Sequence, residues 1–318
     1  MHACMNISYL LRPARKVITI AVCVWLIGYL LASALTGLYL MGALHTFDPR
    51  ITPAGYGVSD YRDVRIASRD WLRDQPLMLA GWYLPSDSGR LDRAVVLVHG
   101  KDASRTQEMQ GQFTEFAAAL HRRGFAILMI ELRGHGQSDY GPLTFGVRER
   151  LDVLGAVDWL HTQGFGAGHI GMLGVSMGAA SSLGAFANDD AGLIGAAVSD
   201  CGFADFDAMV RFQWSRITRL PGTFAAPGIA LAQAVSGADL RQARPIDDVA
   251  RLAAAHKPVL FIHGTRDALV PVQEGRALHA AYPSADYWEV DEAQHGASYR
   301  QQPKAYVERV AAFFAAHL

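Results

Sequence analysis

Cysteine is scarce in this 318-residue chain: the three are Cys4, Cys23 and Cys201. Only Cys201 lies outside the N-terminal region, so no disulfide forms within the main body of the protein. A charge excess is missing too. With 29 Lys and Arg against 30 Asp and Glu, the formal net charge is -1, and nothing electrostatic points to nucleic acid as a partner. Low-complexity tracts and repeats of solenoid period are absent, as are an H-E-x-x-H motif and clustered Cys/His metal spacings. Gly166, Gly168 and Gly171 match G-x-G-x-x-G, but they precede a strand pattern instead of following one, so no dinucleotide fold is indicated. What remains, 51% hydrophobic and 19% charged residues, suits a large buried core.

Charge disappears altogether between Val17 and Leu44. That run exceeds the roughly 20 apolar residues a bilayer-crossing helix needs. Arg12, Arg15 and Lys16 precede it, whereas Asp48 and Arg50 cancel after it, so the positive-inside rule keeps the N-terminus cytoplasmic. The expected organisation is a cytoplasmic tail over 1–16, a transmembrane helix over 17–44, a linker over 45–57 and a main domain over 58–318. That domain would lie outside the cytoplasm (in the periplasm if the protein is bacterial) and borrow nothing chemical from residues 1–44. A cleaved signal peptide is the other reading, with "ASA" at 32–34 as its cleavage site, but the apolar run continues past that point. Ser33 and Gly37 have the spacing of a helix-packing pair.

Beyond the linker the pattern alternates. "DVRIASRD" and "PLMLAGWYLP" read as antiparallel strands. The short apolar runs "RAVVLVHG", "FAILMIELRG", "IGMLGVS", "LIGAAVSD" and "PVLFIHG" read as strands buried on both faces, with "ADYWEV" as one more. Between them, residues 106–124, "RERLDVLGAVDWLHTQG" and the residues after Ser176 read as helices, and "KAYVERVAAFFAAHL" closes the chain as another. The fold class is therefore α/β, a mostly parallel sheet with helices on both faces, whose ligands bind at the carboxyl ends of the strands.

Ser176 stands at such an end, in "G-V-S-M-G". This fits the G-x-S-x-G nucleophile elbow, where the serine occupies a tight strand-to-helix turn and flanking glycines let backbones come close. A serine needs a base, and the chain order Ser, Asp, His supplies one: His295 in "DEAQHG", after the last strand. Asp267, in "HGTRDALVP" after the preceding strand, is the favoured acid; Asp200, which also follows a strand, is the alternative, and Asp291 or Glu292 could tune the base. Two backbone N–H groups should hold the oxyanion, that of Met177 after the nucleophile and that of Lys101 in "VHGKDASR".

"HGKDASR", "ELRGHGQSD", "GVSMG", "HGTRDALVP" and "EAQHG", in that order, make residues 58 to the end resemble the α/β-hydrolase superfamily. The likeness is strongest to its membrane-anchored branch with serine-aminopeptidase-like or Bem46-like domains. The resemblance implies the roles just given for Ser176, Asp267, His295, Lys101 and Met177, with Arg133 and His135 shaping the site. It does not identify a substrate, since the superfamily includes esterases, lipases, thioesterases and peptidases. Residues 203–245 break the alternation and are expected to form a helical cap, or else a crossover helix with a long loop. As a cap, their Phe203, Phe206, Phe212, Trp214 and Phe224 would line an acyl pocket.

The expected function is a membrane-anchored serine hydrolase acting on a small-molecule or lipid-like carboxylic ester, without a cofactor or metal and with its oligomeric state open. A peptidase, amidase or thioesterase on the same scaffold is the nearest alternative, and a catalytically idle binding module is the other.

Overall fold

A computed structural model describes residues 12–44, 46–72, 74–86, 89 and 91–318. Residues 1–11, most of the expected cytoplasmic tail, lie outside the described residues. Eight strands form one sheet: β1 (Arg62–Leu72), β2 (Gln75–Leu84), β3 (Ala94–Val98), β4 (Ala126–Ile130), β5 (Ile170–Val175), β6 (Ile194–Asp200), β7 (Val259–Gly264) and β8 (Asp286–Val290). Their spatial order is β1-β2-β4-β3-β5-β6-β7-β8. β1 and β2 pair antiparallel, β2 joins β4 antiparallel, and every later pairing is parallel.

The strand sequences account for this. β3 (AVVLV), β4 (AILMI) and β7 (VLFIHG) are buried along their whole length, as continuous apolar runs must be when helices cover both faces. One hydrophobic layer packs α3 (Glu149–Thr162) and α4 (Met177–Ala187) against the sheet through residues such as Val153, Val157, Met177 and Leu183. The opposite layer holds α2 (Phe113–His121) and α9 (Pro303–His317) through Phe113, Phe116, Tyr306, Val310 and Phe314. Between β6 and β7 come α5 (Phe206–Thr218), α6 (Ala226–Ser236) and α7 (Pro245–Ala254), and between β7 and β8 comes α8 (Val272–Ala281).

The helix expected over 106–124 is shorter than the spacing suggested. It begins at Phe113, because Met109 (φ 52°) and Gln110 (φ 58°) turn through left-handed backbone just before it. The cause is local: the Glu108 carboxylate accepts its neighbour's N–H at Met109 (2.9 Å) and that of Gly100 (2.6 Å), and this capture competes with helix formation.

At the other end of the chain, α1 (Arg12–Met41) is one 30-residue helix. Its stretch Arg15–Met41 is long and apolar enough to cross a membrane. The expectation that residues 1–44 stand apart from the domain needs correction. Ser33, Leu40 and Met41 are buried, and α1 lies along α6. A Cβ on Gly37 would fall 2.8 Å from the Gly228 carbonyl oxygen, and one on Gly228 would fall 2.8 Å from that of Ser33. The Ser33/Gly37 spacing thus serves a crossing within the chain, where two backbones touch because neither glycine carries a side chain.

The segment after α1 is tied down as well. The Leu44 N–H donates to Asp102 Oδ1 (2.9 Å), Ser104 Oγ donates to the Thr46 carbonyl (2.7 Å), and the Asp48 N–H donates to Thr106 Oγ1 (3.0 Å).

Gly228→Leu overpacks this crossing and is expected to cost about 1–3 kcal/mol. A thermal melt of the full chain in detergent, with Ala234→Leu on an exposed position of α6 as the control, checks this: only the first should lower the midpoint.

Candidate active site

Ser176 links the end of β5 to the start of α4 with φ 56° and ψ -115°. A side-chain-bearing residue pays about 1–3 kcal/mol to sit there, so the surroundings must hold it in place. They do so through contact. A Cβ on Gly174 would lie 2.1 Å from the Gly178 carbonyl oxygen, and one on Gly178 would lie 2.4 Å from that of Val98. Hydrogen bonds complete the clamp, from the Ser176 N–H to the Asp200 carbonyl (2.9 Å) and from the Ala179 N–H to that of Ser176 (3.0 Å). Glycines surround the serine because strand, turn and helix pass within backbone contact of one another.

The loops after β7 and β8 are bound together by the Thr265 N–H on the Val290 carbonyl (3.0 Å) and the Arg266 N–H on that of Ala293 (3.0 Å). This brings Asp267 to His295, whose Nδ1 lies 2.7 Å from Asp267 Oδ2. The carboxylate accepts only, so Nδ1 carries the proton and Nε2 is left free to accept one. Asp267 Oδ1 is held by the N–H groups of Leu269 (2.9 Å) and Val270 (2.8 Å). Burial pushes this carboxyl up, but the neighbouring His263 and His295 rings and the Val270 amide prevail and hold it at about 2. His295 moves the opposite way: burial alone would lower it, yet the Asp267 hydrogen bond and charge raise it above the ordinary histidine value.

The alternative acids are engaged elsewhere. Asp200 is fully buried and accepts from Tyr306 OH (2.9 Å) and Ser298 Oγ (3.0 Å), so it anchors the chain following His295. Burial raises it to about 6. Asp291 accepts from Thr265 Oγ1, and Glu292 pairs with Arg266 at the surface.

Lys101 follows β3 beside the serine. Its ammonium pairs with Asp102 (2.7 Å) and sits 4.0 Å from the Tyr39 ring centroid, so the side chain is docked and not solvated. The Met177 N–H begins α4 and has no intrahelical acceptor by construction. Among the described residues no loop carbonyl takes that N–H or the one on Lys101. Two neutral histidines brace this loop. His99 donates from Nδ1 to the Gly100 carbonyl (2.7 Å) and accepts the Leu132 N–H at Nε2 (3.1 Å). His135 donates to the Arg133 carbonyl (2.9 Å) and accepts the Asp102 N–H (3.2 Å). Arg133 itself is buried against Asp152 (2.6 Å) and Asp70 (2.5 Å).

Cys201, Asp267 and His295 place possible ligand atoms within 4.8 Å of one another. The chemistry does not suit a metal. Burial pushes the Cys201 thiol up and keeps it protonated, and the Asp267 carboxylate already serves His295 and two amides.

Ser176, Met177, Lys101 and His295 all border one cavity of about 560 Å³. Its walls correct two expectations. Of the cap aromatics, Phe203 and Trp214 line it, but Phe206 is buried against Phe145 (centroids 4.2 Å apart), Phe212 is exposed, and Phe224 packs on Tyr29 of α1. The second concerns the N-terminal helix, which does contribute: Leu35, Thr36, Tyr39 and Leu40 form part of the wall. Sequence reasoning also missed Glu108, a buried cavity residue whose only signal was an acid in the loop after the first parallel strand.

Residues 83–310 match the family profile described as X-Pro dipeptidyl-peptidase (S15 family). Among curated proteins, the chain is 30% identical over 195 residues to the uncharacterized protein YqkD of Bacillus subtilis, covering 60% of this chain and 62% of that one. It is 28% identical over 232 residues to the uncharacterized protein Rv2307c of Mycobacterium tuberculosis, covering 73% and 68%. The chain thus spans a little under two thirds of the Bacillus relative. Among solved structures, the Pyrococcus furiosus esterase Pf2001 superimposes with a TM-score of 0.68 at 23% identity, covering 87% of this chain and 99% of that one. A Mycobacterium tuberculosis puromycin-hydrolyzing peptidase gives 0.59 at 18% identity, over 81% and 40%. The fold is that of the α/β-hydrolases.

The Asp267–His295 pair has a measurable signature. Removing the charge by Asp267→Asn should lower the His295 pKa, read from its imidazole resonances in the ¹³C-labelled protein. An unchanged titration would mean that Asp267 does not set it. The pair also ties stability to pH. Because the Asp267 value is depressed, its contribution is complete above the unfolded value near 4 and is lost as pH falls towards 2.

Proposed function

The chain belongs to the X-Pro dipeptidyl-peptidase (S15) family of α/β-hydrolases, and on that premise we propose that it is a membrane-anchored serine hydrolase of carboxylic esters. The observation that carries this reading is the meeting of the strained Ser176 turn with the His295–Asp267 pair at an apolar cavity.

In this mechanism His295 Nε2 takes the Ser176 proton while Oγ bonds to the acyl carbon. The carbonyl oxygen becomes an oxyanion held by the Lys101 and Met177 amides. As the carbonyl reforms, the C–O bond to the alcohol breaks, and His295 returns its proton to that alcohol. Water, deprotonated by the same nitrogen, then attacks the acyl carbon; the bond to Oγ breaks as His295 returns that proton to Oγ, and the acid leaves. Asp267 stays ionised throughout and stabilises the imidazolium.

The family description favours a second reading, a peptidase. A dipeptidyl-peptidase must hold a free ammonium. Two carboxylates border the cavity among the described residues, and both are engaged: Glu108 accepts the Gly100 and Met109 N–H groups, and Asp102 is paired with Lys101. The remaining wall is mostly aliphatic and aromatic, and this favours an acyl chain.

α1 is proposed to stay in place as the anchor, with Arg12, Arg15 and Lys16 on the cytoplasmic side and the domain across the membrane. Its burial against α6 supports retention, since cleavage near residue 34 would take one wall off the folded domain.

The deciding experiment is covalent labelling by a fluorophosphonate, in which Oγ–P forms as fluoride leaves. Ser176→Ala should lose both the label and ester hydrolysis; a label retained in that variant would sink the assignment. Asp267→Asn should lower kcat by about 10³–10⁴-fold, with Asp200→Asn far milder. Since the base works only when neutral and its value is raised, kcat/KM should climb with pH through a midpoint above the ordinary histidine value.

A further inference from the structure

Part of the cavity border is exposed. Three residues bordering it are apolar and largely bare: Leu35 of α1 (67% exposed), Ile217 at the end of α5 (74%) and Leu269 beside Asp267 (47%). A mouth rimmed this way costs free energy in water and none in hydrocarbon.

The cap next to that mouth is suited to hydrocarbon as well. Residues 222–238 carry no charge, and Ala226 and Ala230 of α6 face outward. This segment follows α1 downwards. Phe224 meets Tyr29 and Trp25 edge-on, with ring centroids 5.4 and 6.0 Å away, and Tyr29 OH donates to the Phe224 carbonyl (3.1 Å). Higher up, Gly228 touches Ser33 and Thr36, and Gly37 touches Leu231.

Depth follows from helix geometry. With Arg15 and Lys16 at one membrane surface, a hydrocarbon core about 30 Å thick takes up about 20 residues of α1 and ends near Thr36. The cavity mouth is then at the far interface. Phe224, level with Tyr29, lies about 10 Å deeper, roughly as far as an interfacial helix sinks. Arg216 and Arg219 flank Ile217 at the same rim; both are exposed, and no carboxylate pairs with either among the described residues. Cations at that level face headgroup phosphates.

We propose that the active site is loaded sideways from the membrane. Its occupant is the acyl chain of a membrane lipid ester, drawn between the carboxyl-terminal turns of α1 and the cap from the leaflet on the domain's side. Arg216 and Arg219 meet the headgroup. This rests on the reading of Ser176 as the nucleophile and α1 as a retained span.

The test uses the full chain in vesicles of phosphatidylcholine and phosphatidylglycerol, with two fluorophosphonates: a long-chain alkyl probe dissolved in the bilayer and a short water-soluble one. The parent should be labelled at Ser176 by both. In Ala226→Glu with Ala230→Glu, outside the cavity, labelling by the bilayer probe should fall about tenfold, which is less than the cost of a charge at the bilayer centre allows. Labelling by the soluble probe should stay within about twofold. Equal bilayer labelling of parent and variant overturns lateral loading while leaving the hydrolase reading intact. A parent that takes neither probe overturns the hydrolase reading instead. If the variant loses both labels, Arg216→Ala with Arg219→Ala decides: bilayer labelling should stop rising with the phosphatidylglycerol fraction, and an unaltered dependence on that lipid overturns the proposal.

Discussion

The turn at Ser176 is the constraint around which the rest is arranged. Its φ of 56° and ψ of -115° are unfavourable for any residue with a side chain. They persist because β5 and α4 meet through glycine backbones, with the Gly178 carbonyl oxygen at the place a Gly174 Cβ would take. Parallel neighbours set the strand end, since the Ser176 N–H is held by the Asp200 carbonyl of β6 and Gly178 sits against the Val98 carbonyl of β3. The strain is stored where chemistry is proposed, and the covered sheet supplies the rigidity that keeps it there.

Electrostatics are arranged around the same point. Asp267 is buried yet stays ionised, because two amides and two imidazoles oblige it to, and that charge raises His295, the base of the proposed reaction. Asp200 shows the opposite outcome nearby: more completely buried and given only hydroxyl donors, its carboxyl is raised by burial to about 6. Burial and partners together separate the two acids.

Much of this was legible in the sequence. Runs such as "AVVLV" and "VLFIHG" announced two-faced strands, and loop positions after successive parallel strands put Ser176, Asp267 and His295 on one edge of the sheet. What escaped depends on contacts between distant segments. Nothing in "VHGKDASR" or "TQEMQG" reveals that Glu108 takes the Gly100 amide and delays α2. Likewise, Ser33 and Gly37 advertised a helix crossing without naming its partner, and that partner, Gly228, makes α1 a wall of the cavity. The cap aromatics were misassigned for the same reason: composition marks Phe206 and Phe224 as apolar, but only packing decides whether they face Phe145, α1 or the cavity.

In the proposed reading α1 is both the anchor and a wall of the cavity, so location and catalysis meet in a single element. The central claim beneath that union is an acyl group carried by Ser176. The most direct measurement is rapid acid quenching of the full chain during turnover of a long-chain ester, followed by mass mapping of its peptides. The account predicts an acyl adduct on the peptide containing Ser176, cleared by water once substrate is exhausted. Turnover without any adduct, or with the adduct on another residue, would contradict it.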